Sequence, residues 1–150
     1  IQNFKGLKYR QQIIFDKKNL TIINDSKSTS FSSSVGVLKM YPNIFWLIGG
    51  VPKQGDKFIL PKKNFKKIKA FIYGRHSNFF KKKLKNKIQL ESFKSLKDAM
   101  KRVFELLDKA QSTNKTLLFS PCAASFDSFK NFEDRGLYFD KLVKKYLNGR

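Results

Sequence analysis

The sequence predicts an α/β domain: a mostly parallel six-stranded sheet flanked by helices and opened by an antiparallel hairpin. Three observations lead there. The chain of 150 residues has the length of one domain, enough to bury about 70% of its unfolded surface around one core. Short apolar runs closed by Gly, Ser or Pro alternate with longer amphipathic stretches, as they do where strands cross over through helices into a parallel sheet. No internal repeat and no Pro/Gly/Ser-rich linker divides the chain.

Residues 9–15 and 20–23 are β-rich runs. Asp16, Lys17, Lys18 and Asn19 form a four-residue turn between them, so the two read as a hairpin. Residues 31–40 predict a short helix, despite Ser32, Ser33, Ser34 and Gly36. Residues 44–48 are a continuous apolar run closed by Gly49 and Gly50, the mark of a buried strand. Residues 69–73, closed by Gly74, are another. Residues 87–90 predict a shorter strand, and 116–119 a further one closed by Ser120 and Pro121. The strongest helical pattern covers 95–111. Ser95 can cap it, and Asp98 in the first turn favours the positive end of the helix dipole. Leu96, Met100, Val103, Leu107 and Ala110 then fall on one face. A last helix is expected from about 126 to 147, kinked or interrupted at Arg135-Gly136 because Gly costs about 1 kcal/mol relative to Ala inside a helix.

Composition excludes several classes. At 41% hydrophobic and 15% aromatic, the chain is too apolar for a disordered segment. It contains no run of about 18 apolar residues, so no helical membrane span is expected. The single Cys122 excludes a disulfide framework, and with the single His76 it argues against a structural zinc site. No secretory signal pattern opens the chain, so the cytoplasm is the expected compartment. Ile1 rather than Met comes first, which suggests a piece of a longer protein.

The net charge of +21 comes from 32 Lys plus Arg against 11 Asp plus Glu, a balance associated with polyanionic partners. Only five of the 32 are Arg, the residue that base readout and bidentate phosphate recognition favour. Phe, Ile and Asn are also abundant and share adenine- and thymine-rich codons with Lys. Codon bias therefore yields the same excess without a selected binding surface.

In open α/β sheets, ligands bind outside the carboxyl ends of the strands. Three loops with unusual residues follow such ends: Asn24-Asp25-Ser26-Lys27-Ser28-Thr29-Ser30, Gly49-Gly50-Val51-Pro52-Lys53-Gln54-Gly55-Asp56, and Ser120-Pro121-Cys122-Ala123-Ala124-Ser125-Phe126. The first and third are expected to open helices. Two lysines, several hydroxyls and helix N-termini supply donors and positive potential with little acceptor capacity. That chemistry suits an anion with two separated negative groups. Taken singly, Asp25, Ser26 or Ser125 reads as a helix cap and Lys27 or Lys53 as a solvated charge; their joint placement carries the functional reading.

The wording of these loops resembles the Mur ligase family, specifically the C-terminal domain of its D-glutamate-adding branch. GLKYR, from Gly6 to Arg10, resembles the family's GLPHR hinge. INDSKSTS resembles INDSKATN, LIGGVPKQGDKF resembles a GG…K…DF loop, and SPCAASFDSFKNFEDRG resembles SPACASFDxFKNFEERG. Order and spacing agree from Gly6 to the final helix. The resemblance implies a Rossmann-like C-terminal domain over residues 1–150, with the N-terminal uridine-binding and central ATP-binding domains lying outside this chain. It implies an ATP-dependent ligase of bacterial peptidoglycan synthesis. A carboxylate of UDP-N-acetylmuramoyl-L-alanine is phosphorylated, and the amine of D-glutamate attacks the acyl phosphate to form an amide.

By the same resemblance, Arg10 and Asp25 face the nucleotide, Arg10 toward phosphates and Asp25 toward ribose hydroxyls. Lys27, Thr29 and Lys53 hold the amino-acid carboxylates, and Ser125, Phe126 and Phe132 complete the D-glutamate pocket. Three departures stand out. Tyr9 replaces the family's His, Gln54 and Lys57 flank the turn after Lys53, and Cys122-Ala123 inverts the usual order at a position read as packed rather than catalytic. No G-x-x-x-x-G-K-[ST] loop occurs; the family carries it, with the Mg²⁺ ligands, in the central domain. The isolated chain is therefore expected to be catalytically silent, monomeric and without specific nucleic-acid or membrane partners.

Two other classes compete. Residues 57–90 hold twelve Lys plus Arg and no acid, interleaved with Phe58, Phe65, Phe71, Tyr73, Phe79 and Phe80, the composition of a single-strand binder. Phe71 and Tyr73 nevertheless fall in an expected strand and read as core. A hydrolase lacks support, since there is no G-x-S-x-G elbow and His76 is the only imidazole. Within the family, a sister enzyme adding another amino acid remains open.

Overall fold

The structure, a computed structural model, describes residues 8–110, 114–126 and 128–149; Gly6 and Leu7 of the hinge-like motif and Gln111 at the expected helix end lie outside them. Among the described residues there are eight strands: β1 (Gln12–Lys17), β2 (Leu20–Asn24), β3 (Ile44–Gly49), β4 (Val51–Pro52), β5 (Ile68–Tyr73), β6 (Gln89–Phe93), β7 (Lys115–Phe119) and β8 (Ala123–Ala124). The α-helices are α1 (Val35–Met40), α2 (Ser77–Leu84), α3 (Leu96–Lys109) and α4 (Phe132–Asn148), with short 3₁₀ turns at Phe31–Ser33 and Lys62–Lys67.

Six strands form one sheet in the order β1-β2-β7-β3-β5-β6, and β4 pairs with β8 in a separate two-stranded ribbon. β1 is antiparallel to β2, while β2, β7, β3, β5 and β6 are mutually parallel. This is the expected sheet. Every residue of β3 is buried because helices cover both faces, which is why its sequence is continuously apolar. Ile44, Trp46 and Ile48 pack with α1 and α2 on one face. Phe45 and Leu47 pack with α3 and α4 on the other, as the two-residue period of a strand requires.

α3 forms as expected. The Ser95 hydroxyl accepts from the Asp98 amide at 3.1 Å, and Leu96, Met100, Val103 and Leu107 are buried. Each contributes about 1.5–3 kcal/mol through burial.

Several expectations are corrected. The hairpin turn is the pair Lys18-Asn19, both at positive φ (52° and 66°), the two-residue geometry that matches strand twist; β1 consequently runs to Lys17. Tyr9 and Arg10 precede the strand, with Tyr9 at φ 65°. The sixth strand lies at Gln89–Phe93, and the preceding basic stretch holds α2, which its lysines obscure as an amphipathic pattern. The last helix starts at Phe132, where the Asn131 side chain caps it by accepting from the Asp134 amide at 2.8 Å.

α4 continues through Arg135 and Gly136 without interruption. Gly136 is there for space, not for flexibility. A Cβ on it would lie 2.6 Å from the Tyr9 ring, so glycine admits a buried aromatic against the helix.

Candidate functional site

The carboxyl ends of β2, β7 and β3 lie side by side, and the three loops leaving them are joined by hydrogen bonds. The Asp25 amide donates to the Phe119 carbonyl at 2.7 Å, and the Ser120 hydroxyl donates to Asp25 Oδ2 at 2.6 Å. These bonds tie the first loop to the third. The second loop joins the third through the β4–β8 ribbon, with Val51 opposite Ala124 and Pro52 opposite Ala123. The first and second meet where the Phe31 amide donates to Asp56 Oδ2 at 2.8 Å.

Behind the rim is a buried hydroxyl cluster. Ser28 Oγ lies 3.1 Å from Ser34 Oγ and accepts from the Cys122 amide at 3.2 Å. Ser34 in turn contacts Ser120 Oγ and, at 3.0 Å, Cys122 Sγ. The cluster satisfies polar groups that burial would otherwise penalise by about 1–3 kcal/mol each.

Each sequence-predicted residue can now be placed. Lys27 is half-buried; its amide donates to the Tyr9 carbonyl at 2.9 Å, and its Nζ stands 4.5 Å from the centre of the Phe132 ring. Arg10, Thr29 and Lys53 are exposed. Ser125 is buried, and its carbonyl accepts from the Ser128 and Phe129 amides. Phe126 is 75% exposed, while Phe132 is partly buried at the start of α4. Lys53 and Ser125 leave the ribbon from its two ends. With Val51 opposite Ala124, this places Lys53 about 10 Å along the ribbon from the position facing Ser125.

Asp25 turns inward. It is 3% exposed, and besides Ser120 it accepts from the Gln11 amide at 3.0 Å. Burial pushes its carboxyl up to about 6, against the opposing pull of Ser120, Gln11, Arg10 and Arg135. Cys122 is packed, as expected for its place. Burial pushes its thiol up to about 12, so it is a neutral hydrogen-bonding group and not a nucleophile.

The helix-terminus chemistry is corrected. α1 has only six residues, and no helix opens at Ser125, where the chain first makes the ribbon and a turn. Neither Asp25, Ser26 nor Ser125 caps a helix; Asp25 instead holds other loops through its side chain, and Ser26 holds α4. The donors of this region are therefore side-chain ammonium groups and loop amides.

Sequence reasoning missed Arg135. It is 1% exposed, and its Nε and Nη2 donate to the hydroxyl and carbonyl of Ser26 at 3.1 and 2.6 Å. Ser26 Oγ donates to the Phe132 carbonyl at 2.8 Å. Asn24 Nδ2 donates to the Gly136 carbonyl and to Asp140 at 3.0 and 2.7 Å, so α4 is fastened to the β2 loop. An arginine one residue before a glycine signals a break when read locally; only the partner loop shows it to be an anchor.

No protein-family model matches the chain. Similarity to individual proteins does extend over nearly the whole chain. The chain is 37% identical over 147 residues to the UDP-N-acetylmuramoylalanine--D-glutamate ligase of Rickettsia felis, covering 97% of this chain and 32% of that protein. It is 35% identical over 145 residues to the protein of the same name from the Wolbachia of Brugia malayi, covering 97% of this chain and 29% of the relative. The Francisella philomiragia protein of that name is 34% identical over 147 residues. Along almost its whole length the chain is therefore similar to ligases of this name. It spans about a third of the length of these relatives. Tyr9 stands where the resembled GLPHR motif has His. Its burial against Gly136 and its carbonyl bond to the Lys27 amide give that position a packing and positioning role.

Proposed function

We propose that the chain is the C-terminal, D-glutamate-binding domain of a cytoplasmic bacterial ligase that joins D-glutamate to UDP-N-acetylmuramoyl-L-alanine at the expense of ATP. The observation that carries this reading is the bonding of three loops at the carboxyl ends of β2, β7 and β3, with lysines on two of them. Lys27, Thr29 and Lys53 hold the two carboxylates of D-glutamate. Ser125 and Phe126 close the third side, and Phe132 fixes the Lys27 ammonium above its ring, a contact that contributes about 0.5–1 kcal/mol at a partly exposed site. Arg10 reaches toward the nucleotide phosphates. Asp25 serves the nucleotide side from behind, by holding the Gln11 backbone and the third loop.

The reaction asks little covalent work of this domain. The amine nitrogen forms a bond to the acyl carbon, the carbon–oxygen bond to phosphate breaks, the electron pair leaves with phosphate, and the amine loses a proton. Holding the amine against the acyl phosphate is worth up to about 7–11 kcal/mol in favourable cases. Among the described residues no group of three His, Cys, Asp or Glu could hold a metal, and the family resemblance implies that the Mg²⁺ ligands lie in another domain of the ligase. The phosphate loop would also lie elsewhere, which leaves this chain silent alone.

Phosphate release by the complete ligase tests the reading. Lys27→Ala and Lys53→Ala are each expected to raise the KM for D-glutamate at least tenfold while leaving that for ATP within about twofold. Unchanged D-glutamate KM in both variants would overturn the site. ADP release by the 150 residues alone would overturn the predicted silence.

A further inference from the structure

We propose that Arg135 is the positioning residue of this site, its buried guanidinium clamping the Ser26-Lys27 backbone so that Lys27 meets a carboxylate without rearrangement. The inference rests on the D-glutamate reading and adds a residue to it. Three contacts hold one dipeptide to the start of α4: Arg135 Nε on the Ser26 hydroxyl, Nη2 on the Ser26 carbonyl, and the Ser26 hydroxyl on the Phe132 carbonyl. Phe132 is also the ring beneath the Lys27 ammonium. One turn of α4 thus fixes both ends of Lys27, its backbone through Ser26 and its Nζ through the ring.

The guanidinium reaches the second loop as well. Its Nη1 lies 3.2 Å from where a Cβ on Gly50 would stand, so glycine lets that loop close over the arginine. Arg135 therefore bonds the loop that carries Lys27 and stands beside the one that carries Lys53, from a helix that carries neither. Its planar fork makes two bonds to Ser26 that a lysine cannot reproduce, although lysine keeps the charge. Preorganised donors act without reorganisation at the moment of binding, which is the advantage this clamp confers.

Steady-state kinetics of the complete ligase separate positioning from packing. Arg135→Lys is expected to raise the KM for D-glutamate about tenfold, with the KM for ATP and for the UDP-linked substrate within twofold. Ser26→Ala, which removes one side of the clamp and leaves the guanidinium in place, is expected to raise it a few-fold in the same direction. A lower Tm with all three KM values unchanged in both variants would reduce Arg135 to a packing residue. Should Arg135→Lys fail to fold, an unchanged D-glutamate KM in Ser26→Ala would overturn the proposal. Failure of the underlying reading looks different: Lys27→Ala and Lys53→Ala would then leave D-glutamate dependence intact.

Discussion

The carboxyl-end loops and the basic segment 57–90 make a useful pair. The segment has far more charge, twelve cations and no acid, yet Phe58, Phe71, Tyr73 and Phe80 are buried in the core. Lys83 and Lys87 lie over the rings of Phe79 and Phe58, so the basic residues cover these aromatics instead of leaving them for bases to stack on. The loops have few charges, but their polar groups are buried and bonded to one another across long sequence distances. Buried polar bonding marks a built site better than a count of charges does, because each such group costs free energy unless its partner is held in place.

The sharpest way to break the contrast is to disturb one glycine inside the loops and one outside them. Gly50 sits at φ 122°, and a Cβ there would lie 2.4 Å from the Ala124 carbonyl oxygen. Gly50→Ala is expected to cost about 3 kcal/mol or more and to open the β4–β8 ribbon. Gly36, in α1 on the face of the sheet shared with the basic segment, has nothing within 4 Å, and Gly36→Ala is expected to stabilise by about 0.5–1 kcal/mol. Urea unfolding of the two variants measures both.

A second test uses pH. The folded Asp25 keeps its proton up to about 6, against 3.8 for the ordinary carboxyl. The folded state therefore binds more protons than the unfolded one between these values. Stability from this group is present at low pH and is lost as pH rises from about 4 through 6. Relative to Asp25→Asn, the protein should lose on the order of 2–3 kcal/mol across that window, seen as a converging or crossing pair of stability–pH curves. Parallel curves would show that Asp25 does not titrate in this way. The smallest effect is expected in the basic segment: the triple variant Lys81→Gln, Lys82→Gln and Lys85→Gln should shift unfolding by no more than about 0.5 kcal/mol while weakening any salt-sensitive adhesion to polyanions.

Much of the frame was legible in the chain. Residues 44–48 and 69–73 announced buried parallel strands because both faces of such strands must be apolar, and Ser95 with Asp98 announced α3 because its cap lies within one turn of sequence. The three site loops were legible from their position after strands. α2 was not, since lysine stems hide its apolar stripe. Nor was the true start of α4, since Ser125, Phe126, Ser128 and Phe129 carry hydroxyls and apolar groups that suit a helix, whereas the cap is Asn131.

Local signals thus determined most of the strands, the helix α3 and which loops follow strand ends, because those depend on neighbours a few residues apart. Tertiary structure alone decided what Asp25, Ser26, Arg135 and Gly136 do. Their roles depend on partners distant in sequence, 109 residues in the case of Ser26 and Arg135, and on whether water or another loop occupies the adjacent space. A buried arginine and a glycine beneath a tyrosine ring look like a helix break until the residues packed against them are known.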